Sequence, residues 1–225
     1  MKQLVEGISK FRRDVFPEHS SLFGELATGQ HPEALFITCA DSRIVPELIT
    51  QTKPGDLFIC RTVGNLVPPY GDSDSGVGSA IEYAVTALNV PNIVVCGHSD
   101  CGAMKAILHP ERMDRLPQTR SWVRFAEAAR EVVLSKDPKA PEAAQLSALT
   151  EENVIAQLEH LKTHPSVAAR LARGGLQLYG LVYQIHSGDI SAYDANAGSF
   201  FPVDGRLPSA TPPSRFQFFS TKEVA

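Results

Sequence analysis

The first apolar residues of the chain follow a helical spacing. They recur at intervals of three and four from Leu4 to Val15, which predicts a helix with one apolar face. Pro17 interrupts this pattern, and a second short helix is predicted over residues 20–26. We treat residues 1–29 as an N-terminal helical arm. The pattern does not decide whether its apolar face packs on its own domain or on a neighbouring subunit.

Short apolar runs, rich in β-branched residues, follow the arm and predict buried strands. They span residues 34–40, 56–63 and 92–98, with helical patterns between them that include an apolar helix over residues 75–88. A strand–turn–strand pattern covers residues 176–194. Strands alternating with helices predict an α/β fold. We expect a central, mostly parallel sheet of about four parallel strands, a C-terminal antiparallel edge strand and flanking helices.

The patterns predict one domain over residues 1–225, made of the arm, a core over residues 30–195 and a tail over residues 196–225. Within the core, residues 135–147 are rich in Lys, Pro and Ala and predict a loop with short helical pieces. We expect Thr150 to cap a helix that runs to residue 161.

Composition and charge narrow the possible functions. Hydrophobic residues make up 43% of the 225 residues, as in ordinary globular proteins, and the formal net charge is −4. Such a chain lacks the positive field that drives binding to nucleic acids or acidic membranes. The N-terminus mixes charges among its apolar residues, unlike a secretory signal. We therefore expect a cytoplasmic protein whose partners are small molecules or copies of itself, not nucleic acid or membrane.

Three residues with metal-binding side chains follow or end predicted strands. Cys39 ends the first strand, His98 ends the third, and Cys101 stands where a helix begins. Ligands of parallel sheets bind beyond the carboxyl ends of the strands, so these residues converge if the two strands are neighbours. Two thiolates and an imidazole with an open fourth position form a catalytic zinc arrangement. The alternative is a core histidine beside an inert cysteine, as we expect for the buried Cys60 and Cys96.

A carboxylate and a guanidinium lie beside the first candidate ligand. In an extended segment Cys39, Asp41 and Arg43 point to the same side. Asp41 is able either to accept a hydrogen bond from a metal-bound water or to occupy the fourth metal position itself. Arg43 is able to hold Asp41 in a bidentate pair and keep it ionised. The alternative is a salt bridge that only fixes the turn.

Four segments together resemble the β-class carbonic anhydrases. They are ITCADSR (37–43), PGDLFICRTVGNLVPP (54–69), SAIEYAV (79–85) and VVCGHSDCGAMKA (94–106). The resemblance implies reversible, zinc-dependent hydration of carbon dioxide to bicarbonate and a proton, with one Zn²⁺ per subunit on Cys39, His98 and Cys101. Zinc would generate hydroxide from its bound water near neutral pH. Asp41 would orient that hydroxide, and Arg43 would keep Asp41 off the metal.

The resemblance also implies a substrate pocket. Its apolar wall would include Phe58 and Val63 with Tyr83 nearby, and Gln30 matches a glutamine that hydrogen-bonds substrate in the plant-like branch. In that family the pocket lies at a dimer interface, so we expect a dimer or tetramer. Another branch of the family has a tryptophan where this chain has Phe36, and there the aspartate moves onto zinc. We therefore expect an open zinc site here.

Two other functions stay open on the sequence. A hydrolase of CS2 or COS would keep the same zinc site and change access to it. A zinc-binding or redox regulatory protein would have lost catalysis, although such a protein has no use for Asp41, Arg43, Gln30 and Tyr83 beside the ligands.

Overall fold

A six-stranded sheet organises the chain from Pro32 onward. Its strands are β1 (Ala34–Cys39), β2 (Leu57–Thr62), β3 (Asn92–His98), β4 (Gln177–Tyr183), β5 (Ile190–Asp194) and β6 (Ser199–Pro202). In the order β2–β1–β3–β4–β5–β6, the first four strands are parallel to one another, β5 pairs antiparallel with β4, and β6 pairs antiparallel with β5. The predicted α/β class and the four parallel strands are confirmed.

The antiparallel part of the sheet is larger than predicted. The computed structural model, which describes residues 1–71, 76–208 and 210, contains β6 within the segment that we predicted as a tail. This strand has only four residues, which is too short for an alternating pattern to stand out in the sequence. The other tail residues, 209 and 211–225, lie outside the described part of the chain.

Helices flank the sheet in the larger unit. They are α3 (Pro46–Thr50), α4 (Gly76–Glu82), α5 (Gly102–Leu108), α6 (Pro117–Val123), α7 (Glu127–Lys136), α8 (Glu142–Lys162) and α9 (Pro165–Ala172). A π-helical turn, Tyr83–Ala87, continues α4, and the predicted first residue of that helix, Ser75, lies outside the described residues. Within the described part of the chain, no helix combines the length and apolarity needed to cross a membrane.

The predicted start of the long helix is wrong. Helix α8 begins at Glu142, so Thr150 lies in its interior and donates its hydroxyl to the Leu146 carbonyl at 2.9 Å instead of capping an end. The stretch before Thr150 is rich in alanine, whose helix propensity outweighs the polar residues that suggested a loop.

Tight packing joins α8 to the centre of the sheet. All six residues of β1 are buried, as expected for a parallel strand covered on both faces. A Cβ atom on Gly97 of β3 would lie 2.9 Å from Val154 of α8, and one on Gly180 of β4 would lie 2.7 Å from the same side chain. The two glycines therefore allow α8 to lie directly on β3 and β4.

Residues 1–31 form a separate unit of short helices. Helices α1 (Lys2–Lys10) and α2 (Ser20–Leu26) are joined by a π-helical turn (Phe11–Val15) and a 3₁₀ turn (Phe16–His19), and α2 has the predicted bounds. The rings of Phe11, Phe16 and Phe23 contact one another with centroids 5.4 to 6.2 Å apart. No residue of this unit is buried, so its apolar side chains are open to solvent in a single chain.

Candidate metal centre

The pairing of β1 with β3 brings the three candidate ligands together. Phe36 pairs with Val94 and Thr38 with Cys96, so Cys39 and His98 lie at the same edge of the sheet. Cys101 precedes the first residue of α5. The two strands are neighbours, which is the condition that the sequence analysis set for these residues to converge.

The three side chains lie close enough together to share one metal ion. Their ligand atoms all lie within 4.8 Å of one another, and the two sulfur atoms of Cys39 and Cys101 are 4.0 Å apart. Two sulfurs bound to one tetrahedral zinc at about 2.3 Å would be about 3.8 Å apart, whereas a disulfide would need about 2.05 Å. All three residues are buried. This group is able to bind a metal ion.

The imidazole of His98 presents a free ligand atom to the same point. Its Nδ1 donates to the carbonyl oxygen of Ser99 at 2.9 Å, which fixes the tautomer and leaves the lone pair on Nε2. That Nε2 is buried and has no hydrogen-bond partner among the described residues. A buried polar atom without a partner is costly, and a metal ion would satisfy it.

The two thiols have pKa values shifted in opposite directions. Hydrogen bonding from Cys101, with smaller contributions from His98 and the backbone N–H of Gly64, outweighs burial and lowers the pKa of Cys39 to about 4. The Cys39 thiolate, together with burial, raises the pKa of Cys101 above its usual range. Binding of a metal by both thiolates must therefore release a proton from Cys101, so the affinity for the metal falls as the pH falls.

Asp41 is held beside the ligands by Arg43. The guanidinium of Arg43 donates from Nε to Oδ1 of Asp41 at 3.0 Å and from Nη2 to Oδ2 at 2.8 Å. The backbone N–H of Arg43 also donates to Oδ1 at 2.9 Å. Oδ2 lies 3.9 Å from Nε2 of His98. The carboxylate is therefore oriented by three donors and faces the ligand atom of His98.

Comparison with known proteins agrees with this geometry. The carbonic anhydrase family profile matches residues 34–190. The chain belongs to the β-carbonic anhydrase family. It is 52% identical over 200 residues to a carbonic anhydrase of Pseudomonas aeruginosa, covering 89% of this chain and 90% of the relative. The structure of the β-carbonic anhydrase CcaA superposes with a TM-score of 0.92 at 41% identity, covering 96% of this chain and 97% of that one.

A solved structure with lower sequence identity belongs to an enzyme that is described as an oligomer. One of two β-carbonic anhydrases from Sordaria macrospora, described as tetrameric, superposes with a TM-score of 0.78 at 28% identity, covering 89% of this chain and 98% of that one. Family membership and the cysteine–histidine–cysteine group identify the activity of this carbonic anhydrase as zinc-dependent, reversible hydration of carbon dioxide.

Buried polar groups that the sequence analysis missed support the metal centre of this carbonic anhydrase. The N–H of Gly64 donates to the sulfur of Cys39 at 3.4 Å. Gly64 has φ +76°, and a Cβ there would lie 2.9 Å from the Cβ of Ala103, so a glycine is needed at this position. The Nδ2 of Asn153 donates to the Gly64 carbonyl at 3.1 Å. The sequence feature that could have revealed this contact is a pair of polar residues, Asn153 and Gln157, on the buried face of α8.

Arg61 holds the loop that carries Asp41. Its guanidinium donates to the carbonyls of Cys39 at 3.3 Å, Asp41 at 3.4 Å and Ile44 at 2.5 Å. Sequence reasoning gave this arginine no role, because its partners are backbone atoms about twenty residues earlier in the chain.

The predicted substrate residues are only partly brought together. The rings of Phe58 and Tyr83 are in contact, with centroids 5.9 Å apart. Val63 immediately precedes Gly64 and is 43% exposed, and Tyr83 is 51% exposed. Gln30 belongs to the separate N-terminal unit, and its role stays a prediction.

The other two cysteines differ from each other in burial. Cys96 lies in the core, where burial raises its pKa to about 12, as expected for an inert thiol. Cys60 is only partly buried and packs against the core. All four cysteines are described, and none forms a disulfide.

Replacement of one ligand should remove the metal selectively. We expect Cys101→Ser to lower zinc affinity by about a hundredfold or more, because one of two charged sulfur ligands is lost. Competition with a chromophoric chelator would measure this affinity. Cys60→Ser is the matched control and should bind zinc as tightly as the parent. Equal affinity of all three proteins would contradict the ligand assignment.

Proposed function

We propose that Cys39, His98 and Cys101 hold one zinc ion per subunit and that Asp41 and Arg43 prepare the reaction beside it. When bound, zinc supplies a nucleophile from water at neutral pH. The main support for this proposal is the bidentate ion pair between Asp41 and Arg43. The Asp41 carboxylate of this pair faces Nε2 of His98.

Asp41 would accept a hydrogen bond from the attacking nucleophile and so direct the nucleophile's lone pair toward carbon dioxide. Arg43 holds this carboxylate, and its hydrogen bonds are the main reason why the pKa of Asp41 is well below its usual range. Because the folded-state pKa is lowered, Asp41 is ionised throughout the neutral range. The ion pair stabilises the fold above the unfolded pKa of about 4, and this contribution is lost as the pH falls below that value.

The same ion pair supports an open metal site. Both oxygens of Asp41 accept hydrogen bonds from Arg43, so moving the carboxylate onto the metal would break at least one charge-assisted bond. Phe36, which stands where another branch has tryptophan, is buried in β1. We therefore expect the fourth metal position to stay available to solvent and substrate.

Carbon dioxide is uncharged and needs an apolar surface next to the nucleophile. We assign this surface to Phe58, Val63 and Tyr83, of which Phe58 and Tyr83 are in contact. Gln30 completes the predicted set as a hydrogen-bond donor to substrate. None of the contacts favours CS2 or COS as the substrate, so turnover of these gases serves as a comparison in the assay.

Removing the charge of Asp41 should reduce catalysis and leave metal binding unchanged. We expect Asp41→Asn to lower kcat/KM for carbon dioxide hydration by about tenfold or more in stopped-flow assays, because a neutral amide is a weaker hydrogen-bond acceptor than the carboxylate and orients the nucleophile less well. Asp114→Asn, which removes an exposed carboxylate paired with Arg120, is the control and should have parental activity. An Asp41→Asn protein with full zinc content and full activity would refute the role of Asp41.

We propose further that residues 1–29 act as an arm in self-association to a dimer or tetramer. In a single chain the apolar side chains of the arm are exposed, among them Leu4 at 63% and Ile8 at 62%. An apolar face of this kind is stabilised when a second copy covers it. The exposure of Val63 and Tyr83 also supports a pocket wall that a second subunit completes, and the Sordaria macrospora enzymes are described as tetrameric.

A polar substitution on the arm should weaken the assembly. We expect Ile8→Asn to shift the sedimentation coefficient toward that of a single chain at micromolar concentration, since the apolar area that drives association is reduced. Gln3→Asn changes an exposed polar residue of the same helix and should sediment like the parent. Identical sedimentation of all three proteins as single chains would contradict self-association.

We propose a cytoplasmic location. The unpaired state of all four cysteines supports it, because thiols of this kind persist in reducing compartments.

A further inference from the structure

A second carboxylate lies on the other side of Arg43 from Asp41. Nη1 of Arg43 donates to Oδ2 of Asp100 at 3.0 Å, and Nη2 donates to the backbone carbonyl of Asp100 at 3.2 Å. The guanidinium is therefore held at both ends, by Asp41 along its Nε–Nη2 edge and by Asp100 at Nη1. A planar guanidinium with partners at both ends has little freedom to rotate.

Asp100 is itself fixed by its surroundings. Its Oδ1 accepts a hydrogen bond from the ammonium group of Lys105, one turn into α5. Its backbone has φ +60°, in the left-handed region that Asp and Asn tolerate better than most residues. It lies between His98 and Cys101, so the loop that supplies two candidate ligands also supplies this carboxylate.

The four side chains form a line of alternating charge. Lys105, Asp100, Arg43 and Asp41 follow one another, and each contacts the next. The line ends at Oδ2 of Asp41, 3.9 Å from Nε2 of His98. Asp100 therefore contacts Asp41 only through Arg43 in this line.

We propose that Asp100 is a positioning residue for the reaction: it holds the guanidinium of Arg43 in the orientation that keeps Asp41 beside, and not on, the metal. This inference rests on the proposed role of Asp41. Without the Asp100 carboxylate, Arg43 keeps only the backbone carbonyl at that end and is able to turn. Asp41 then loses its bidentate partner for part of the time.

A double-mutant cycle tests whether Asp100 acts through Asp41. The proteins are the parent, Asp100→Asn, Asp41→Asn and the double variant, each loaded with zinc. Asparagine tolerates the positive φ, so Asp100→Asn should fold. We expect it to lower kcat by about fivefold, with KM for carbon dioxide within about twofold, and to cause no additional loss in the Asp41→Asn background. Asp114→Asn is again the control.

The visible absorption spectrum of bound cobalt(II) distinguishes a change in the position of Asp41 from a general loss of structure. In the cobalt(II)-substituted proteins, Asp100→Asn should change the visible absorption bands of the metal, because the neighbouring carboxylate is released. The same substitution should leave the bands unchanged when Asp41 is already Asn. Parental kcat, multiplicative losses in the double variant, or a parental cobalt spectrum of Asp100→Asn would each overturn the proposal.

The same cycle distinguishes failure of this inference from failure of the proposed function. If Asp41→Asn keeps parental activity, the role proposed for Asp41 is wrong, and the inference about Asp100 fails with it. If Asp41→Asn loses activity while Asp100→Asn keeps it, only the inference about Asp100 is wrong.

Discussion

The parallel pairing of β1 with β3 is the constraint on which the rest of the site depends. It sets Cys39 and His98 at one edge of the sheet, and the short turn after β3 returns Cys101 to the same point. Strand pairing is fixed by backbone hydrogen bonds and by burial on both faces, so the positions of Cys39 and His98 relative to each other are set by the core. The three ligand atoms are therefore brought within 4.8 Å of one another by the fold itself.

Around this edge of the sheet, hydrogen bonds from polar side chains hold the loops that carry the site residues. The guanidinium of Arg61 holds the loop after β1 by its carbonyl groups, and Arg43 holds the Asp41 side chain within that loop. On the opposite side, Asn153 of α8 holds the Gly64 carbonyl while the Gly64 N–H contacts Cys39. These contacts fix the segments that carry Cys39 and Asp41, so they both stabilise the fold and orient the side chains of the site.

Much of this arrangement could be predicted from the sequence. The strands, the arm and the three ligands follow from short apolar runs and from residue types at strand ends. The start of α8 and the strand β6 could not be predicted, because alanine-rich propensity and a four-residue strand leave weak patterns. Asp100, Gly64 and Asn153 were missed for another reason. Their partners are distant in the sequence, and such contacts become visible only when the topology is known.

In the proposed site, Arg43 keeps Asp41 beside the metal and not on it. The most direct measurement is a crystal structure of the zinc-loaded protein at about pH 7, close to the range where a zinc-bound water ionises. We expect the bidentate Asp41–Arg43 pair to be intact, with zinc on Cys39, His98 and Cys101 and no carboxylate in the fourth position. An Asp41 oxygen at about 2.0–2.2 Å from zinc, with Arg43 turned away, would contradict it.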